Sequence, residues 1–231
     1  MQESSSNKPL IIGTIIVAAL VFVGLVWAIM STPSDTVTPG GNETVNFDDA
    51  GAKFQGNPEA KVVVRVYSDF QCPACRAAEP ALNYAVAKYG DRVKFVWKDF
   101  PLMSIHANAR NAANAAWCAD EQGKYWQFHS LLFAEQASWG NLPNPTESFR
   151  SYANRLELEP NNFGTCYDSK RYDSKVMASV QEGNANRVNA TPTVFVNNTR
   201  QMGLDQAGWD RVLTAALAQV ETPVSASTTT P

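Results

Sequence analysis

Cys72-Pro73-Ala74-Cys75 brings together two thiols that can close on each other and pass their disulfide to another dithiol. The motif follows a strand-like run at residues 61–67 and precedes a helix-like run at residues 76–89. At a helix start, unpaired backbone N–H groups and the helix dipole stabilise a thiolate, which favours Cys72 as nucleophile and leaving group. Cys75, one turn inside, can resolve a mixed disulfide. Half of a zinc knuckle has the same spacing. A four-ligand zinc site needs a second pair at metal spacing, however, and Cys118, Cys166, His106 and His129 do not supply one. No metal and no cofactor is therefore expected, and the two histidines read as structural.

These thiols need a framework, and apolar periodicity supplies one. Residues 61–67 form a β-branched run suited to a buried central strand, and residues 92–98 read as a second strand able to pair parallel to it. The helix between them is the crossover. Its Leu82, Val86 and Tyr89 fall at helical spacing and face the sheet, which places Cys72 at the carboxyl end of the first strand. Residues 104–188 are helical and polar by turns, with Phe149, Tyr152, Ala153 and Leu156 as one stripe and Thr146 as its expected N-cap. A strand at 193–196, a turn at Asn197-Asn198 and a partner strand at 200–203 follow. Trp209, Val212, Leu213, Ala216 and Val220 make a closing amphipathic helix.

Cys118 and Cys166 lie in the helical stretch. With Cys72 and Cys75 taken by each other, a structural Cys118–Cys166 bridge is the economical pairing, and it would stabilise the fold by roughly 4 kcal/mol on a chain-entropy basis. Two buried reduced thiols, or a second redox pair, are the alternatives. Pro192, taken locally, is a proline opening an edge strand. Asp69 caps the helix or moves protons. Lys98 is either a solvated strand end or a charge near Cys75.

Several motifs together resemble the DsbA-like thioredoxin-fold oxidoreductases, in the BdbD-type branch. They are Gly56-Asn57-Pro58-Glu59-Ala60, Val62-Val63-Val64, Ser68-Asp69-Phe70-Gln71 leading into the cysteine motif, Pro80, Phe100-Pro101-Leu102, His106, Cys118-Ala119, Gln122-Gly123-Lys124-Tyr125-Trp126, Leu131-Leu132-Phe133 and Thr191-Pro192-Thr193-Val194-Phe195-Val196. The resemblance spans residues 56–220 and implies a thioredoxin fold with a helical insertion subdomain. It implies Cys72 and Cys75 as the redox pair, Pro73-Ala74 as the active-site dipeptide, and a cis Pro192 that with Thr191 binds an extended substrate segment through its backbone edge. Two features depart from the pattern. Pro73-Ala74 brings no cation or ring nitrogen, so a weaker oxidant than the strongest members is expected. Val66 stands where many relatives keep a buried acid.

The front of the chain carries more than a domain. Residues 10–30 are an uncharged, apolar run of 21 residues, long enough at about 1.5 Å per residue to span a hydrocarbon layer of roughly 30 Å. Its length and Ala28-Ile29-Met30 ending favour a permanent anchor over a cleaved signal peptide. Lys8 precedes it and the next basic residue is Lys53, which keeps residues 1–9 cytoplasmic and puts the catalytic domain outside a cell membrane. Residues 31–51 read as a flexible tether, 52–220 as the domain with its insertion at about 104–188, and 221–231 as a disordered tail.

A net charge of −3 gives no reason to expect nucleic acid. The expected function is thus an extracytoplasmic dithiol oxidase acting on exported proteins with free thiols. A membrane reoxidase of DsbB or vitamin K epoxide reductase type is its implied partner. A reductase or isomerase on the same fold, or a Cu(I) metallochaperone, are the other readings.

Overall fold

In the computed structural model the described residues are 45–221, with Phe22. The expected anchor at 10–30, most of the tether and the tail beyond 221 lie outside them. Among the described residues no helix is long and apolar enough to cross a membrane.

A five-stranded sheet carries the domain, in the order β1-β3-β2-β4-β5. Its strands are β1 (Lys53–Gly56), β2 (Val62–Ser68), β3 (Val93–Asp99), β4 (Thr193–Val196) and β5 (Thr199–Gln201). β2 and β3 run parallel, as their apolar sequences suggest, and β1, β4 and β5 join antiparallel. β1 is an addition the periodicity did not reveal, because only four residues pair and their burial alternates weakly. Val62, Val64 and Val66 of β2 are all buried on one face of the sheet, and Val63 and Arg65 are half-buried on the other.

Helix α1 (Pro73–Tyr89) makes the crossover from β2 to β3 and packs against α8 (Gln206–Glu221). It starts three residues earlier than its apolar stripe indicates. The reason is local, since Pro73 sits at a first-turn position whose N–H needs no partner.

Between β3 and β4 the chain forms α2 (Ala109–Asp120), α3 (Tyr125–Ala134), α4 (Gln136–Trp139), α5 (Thr146–Arg155), α6 (Pro160–Asp168) and α7 (Asp173–Ala185). This is the helical insertion. Thr146 is the first residue of α5 and not its cap; its N–H and its hydroxyl both donate to the Asn144 side chain at 3.0 and 2.7 Å. Trp139, Phe128, Phe149 and Phe163 are fully buried among these helices. The Cys118–Cys166 disulfide ties α2 to α6, with 48 positions between its ends.

A smaller core covers another part of the sheet, where Tyr67, Phe100 and Phe195 pack with Val180 and Val188. Gly183 permits this contact: a Cβ there would meet the Phe100 ring at 2.6 Å. Residues 45–51, which read as the end of a tether, are docked on the same region. Arg65 clasps Asp49 through Nε and Nη2, Asn46 and Asn186 exchange hydrogen bonds, and Phe47 packs edge-on to Phe195. The folded domain therefore begins before residue 52, held by partners 16 positions away at Arg65 and 140 positions away at Asn186.

Candidate active site

Everything that shapes the cysteine pair follows from where β2 ends. Ser68 is its last residue, and Asp69-Phe70-Gln71 turn the chain into α1. Asp69 drives the turn: its carboxylate accepts from the Gln71 N–H at 2.7 Å and from the Leu102 N–H at 2.8 Å, and its carbonyl accepts from the Cys72 N–H at 3.1 Å. The second carboxylate oxygen also meets His106 Nδ1 at 2.7 Å. Asp69 does not cap the helix. That position belongs to Cys72, and no side chain caps it. The Asp69 oxygens are committed to fastening the active-site turn to the loop after β3.

Cys72 and Cys75 are both free thiols and both buried, while Pro73 and Ala74 between them are exposed. Their environments push them in opposite directions. The hydrogen bond from the Cys75 thiol lowers the Cys72 pKa, helped by the backbone N–H groups of Ala74 and Cys75, and together these outweigh the opposing effect of burial. Burial first, then the neighbouring Cys72, hold Cys75 far above the usual thiol range. One sulfur is poised as an anion and the other keeps its proton.

Thr191 and Pro192 arrive from the far side of the insertion. The Thr191–Pro192 peptide bond is cis, and the Thr191 carbonyl oxygen lies 3.4 Å from Cys72 Sγ. The Thr191 hydroxyl is buried with no partner within hydrogen-bond limits, and it favours the Cys72 anion from longer range. The structure thus brings Cys72, Cys75, Pro73, Ala74, Thr191 and Pro192 to one end of the sheet. Cys118 and Cys166 serve the insertion instead.

Lys98 is not a solvated strand end. It is 4% exposed, its ammonium lies 3.2 Å from Asp49 and 3.1 Å from Glu182, and it donates to the Asp48 carbonyl. Its charge is matched within the docked segment and α7.

Gln136 and Asn108 gave no sequence signal, and Gln71 stood in the motif before Cys72 with no role assigned to it. Gln136, buried in the short α4, donates from Nε2 to the carbonyls of Phe70 at 2.8 Å and Cys72 at 2.9 Å, so the insertion clamps the motif from above. Gln71 donates to the Gly140 carbonyl, and Asn108 donates to the Gln71 Oε1 and to the carbonyls of Gly140 and Leu142. A lone amide in a mixed helical stretch looks like surface until its backbone partners are known.

Residues 49–215 match the family model described as Thioredoxin. Among solved structures, oxidised BdbD from Bacillus subtilis superimposes with a TM-score of 0.65 at 21% identity, covering 74% of this chain and 95% of its own. DsbA from Chlamydia trachomatis gives the same score at 18% identity, covering 80% and 100%. At these identities the likeness shows the fold.

The curated relatives are longer proteins. The Na(+)/H(+) antiporter NhaA 3 of Salinispora tropica is 38% identical over 149 residues, 64% of this chain and 22% of that protein. The Na(+)/H(+) antiporter NhaA 1 of Mycobacterium sp. (strain KMS) is 31% identical over 215 residues, 88% and 33%. This chain spans between about a fifth and a third of their lengths.

Proposed function

The chain belongs to the thioredoxin family, and from that premise we propose that it is an extracytoplasmic protein dithiol oxidase working through Cys72 and Cys75. The observation that carries this reading is the opposed environment of the two sulfurs, which favours a Cys72 anion beside a protonated Cys75. Stabilising the Cys72 thiolate stabilises the reduced pair, which makes the Cys72–Cys75 disulfide the stronger oxidant. The names of the antiporter relatives do not enter this reading, which rests on this chain's own thiols.

A substrate thiolate attacks Cys72 Sγ and breaks the Cys72–Cys75 bond; Cys75 leaves with the electron pair and takes up a proton. The mixed disulfide then joins substrate to Cys72. A second substrate thiolate attacks the substrate sulfur, closing the substrate's disulfide and releasing the Cys72 thiolate. The Thr191 carbonyl beside Cys72 offers a main-chain acceptor to an extended segment, which suits many sequences because it reads none. Substrates are exported proteins with free thiols, and a membrane reoxidase of DsbB or vitamin K epoxide reductase type restores the disulfide. Residues 10–30 anchor the chain in the cell membrane.

The test is oxidation of a reduced, unfolded protein by the full-length chain, with Cys72→Ser as its control. Absence of oxidation, or activity that survives Cys72→Ser, would defeat the proposal. The reduction potential of the pair separates the readings, since strong oxidants lie near about −120 mV and reductases near about −270 mV.

A further inference from the structure

Cys75 poses a problem of proton transport. Only 2% of the residue is exposed, and burial opposes its ionisation, yet it must ionise each time the pair closes and recover a proton each time the pair opens. Val66, buried on β2 and lining the same cavity as Glu79, can neither accept nor donate. Glu79 stands four residues after Cys75 in α1, on the same helix face and about 5–6 Å away between Cβ atoms by helix geometry.

The surroundings of Glu79 are built for an acid that changes charge. Its carboxyl lines a cavity of about 40 Å³ with Val66, Leu82, Val86, Phe95, Trp97 and His129, room for roughly one or two waters. No lysine or arginine lines that space; Gln55, Asn83 and Ser130 are its polar rim. His129 is the other titratable group there, its Nδ1 4.0 Å from the Glu79 carboxylate and its Nε2 without a partner. Beyond it stands Tyr125, whose hydroxyl is held well above its usual range by burial, with Asp99, Asp120 and Glu79 adding to the effect. The Glu79 side chain keeps 14% exposure, so its proton has a way out.

We propose that Glu79 is the proton carrier for Cys75. Its carboxylate takes the thiol proton as the Cys72–Cys75 disulfide forms, and its carboxyl returns a proton as that disulfide opens. In closure, Cys72 thiolate has already attacked an oxidant disulfide and released one thiolate. Cys75 then gives its proton to Glu79, its sulfur attacks Cys72 Sγ, and the second oxidant sulfur leaves with the electron pair. Opening runs this proton path in reverse. Burial raises the Glu79 carboxyl to about 7, where both forms are populated near neutrality, and it lowers His129 to about 3, so no imidazolium holds Glu79 charged.

The inference rests on the dithiol chemistry proposed above and is tested separately from it. The reduced full-length chain is mixed with saturating oxidised glutathione, and the ring-closing step is followed from mildly acidic to mildly alkaline pH. In the native chain that step accelerates as pH rises through about 7, because the carboxylate is the accepting form. Glu79→Gln keeps the size but accepts no proton; it should lose that inflection and close roughly a hundredfold more slowly at neutral pH. Its Cys72 thiolate absorbance should be unchanged. A variant profile that superimposes on the native one overturns the proposal. A native chain that exchanges with no disulfide at any pH instead overturns the oxidase reading. Should Glu79→Gln fail to fold, infrared difference spectra of the native chain decide the matter. A protonated-carboxyl band that changes between oxidised and reduced protein supports the carrier, and its absence excludes it.

Discussion

Cys72 Sγ lies 3.4 Å from the Thr191 carbonyl oxygen, across 119 positions of sequence. This contact joins the reactive sulfur to a main-chain edge. It exists because β4 pairs antiparallel with β2, bringing the residues just before β4 beside the end of β2 where the motif begins.

Cys72 should behave as a thiolate well below the ordinary thiol range of about 8.5. Folding lowers its pKa, so its contribution to the stability of the reduced form is complete above about 8.5 and lost as pH falls through the depressed folded value. Cys75 is shifted upward, and its opposite contribution declines only above about 8.5. On acidification below that pH, the melting temperature of the reduced chain should drop relative to the oxidised chain, in which neither sulfur titrates. A constant difference across that window would contradict the assignment. Alkylation of the folded, reduced chain should label Cys72 and spare Cys75.

Replacing Cys118 and Cys166 together by Ala should destabilise the domain by up to about 4 kcal/mol, the chain-entropy value for a loop spanning 48 positions. The bridge lies in the insertion and away from the redox pair. Denaturant titration should therefore show the loss, while exchange by the folded fraction keeps its rate. A large change in that rate would mean the insertion positions Gln136 over the motif through this bridge.

Lys98→Met should cost roughly 2–3 kcal/mol, less than removal of one partner from a fully buried pair, because Asp49 and Glu182 keep 20% and 15% side-chain exposure. Urea unfolding measures it. The docked segment at residues 45–51 should loosen first, visible as faster amide exchange at Asp48 and Asp49.

Asp69→Asn should destabilise by about 2 kcal/mol without abolishing exchange. The asparagine amide would present a donor where the Gln71 N–H, the Leu102 N–H and His106 need acceptors. Equilibrium unfolding and single-turnover exchange separate the two effects. A variant of native stability and no activity would make Asp69 a proton-transfer group instead.

The sequence by itself determined the dithiol, the parallel β2 and β3 with their crossover helix, β4 and the closing helix. These depend on local periodicity and on Pro and Cys at fixed spacings, which neighbouring residues alone express. It also narrowed Cys118 and Cys166 to a pairing that the structure forms. It could not show β1, since four residues that alternate between half-buried and exposed acquire meaning only when β3 lies beside them. Lys98 read as solvated because the acids that neutralise it come from residues 49 and 182. Asp69 read as a cap because its partners at Leu102 and His106 belong to another loop. Gln136 and Glu79 gave no signal at all. Burial and partners across space set the charge of a side chain, and only the tertiary structure decides which polar residues are left facing Cys72 and Cys75.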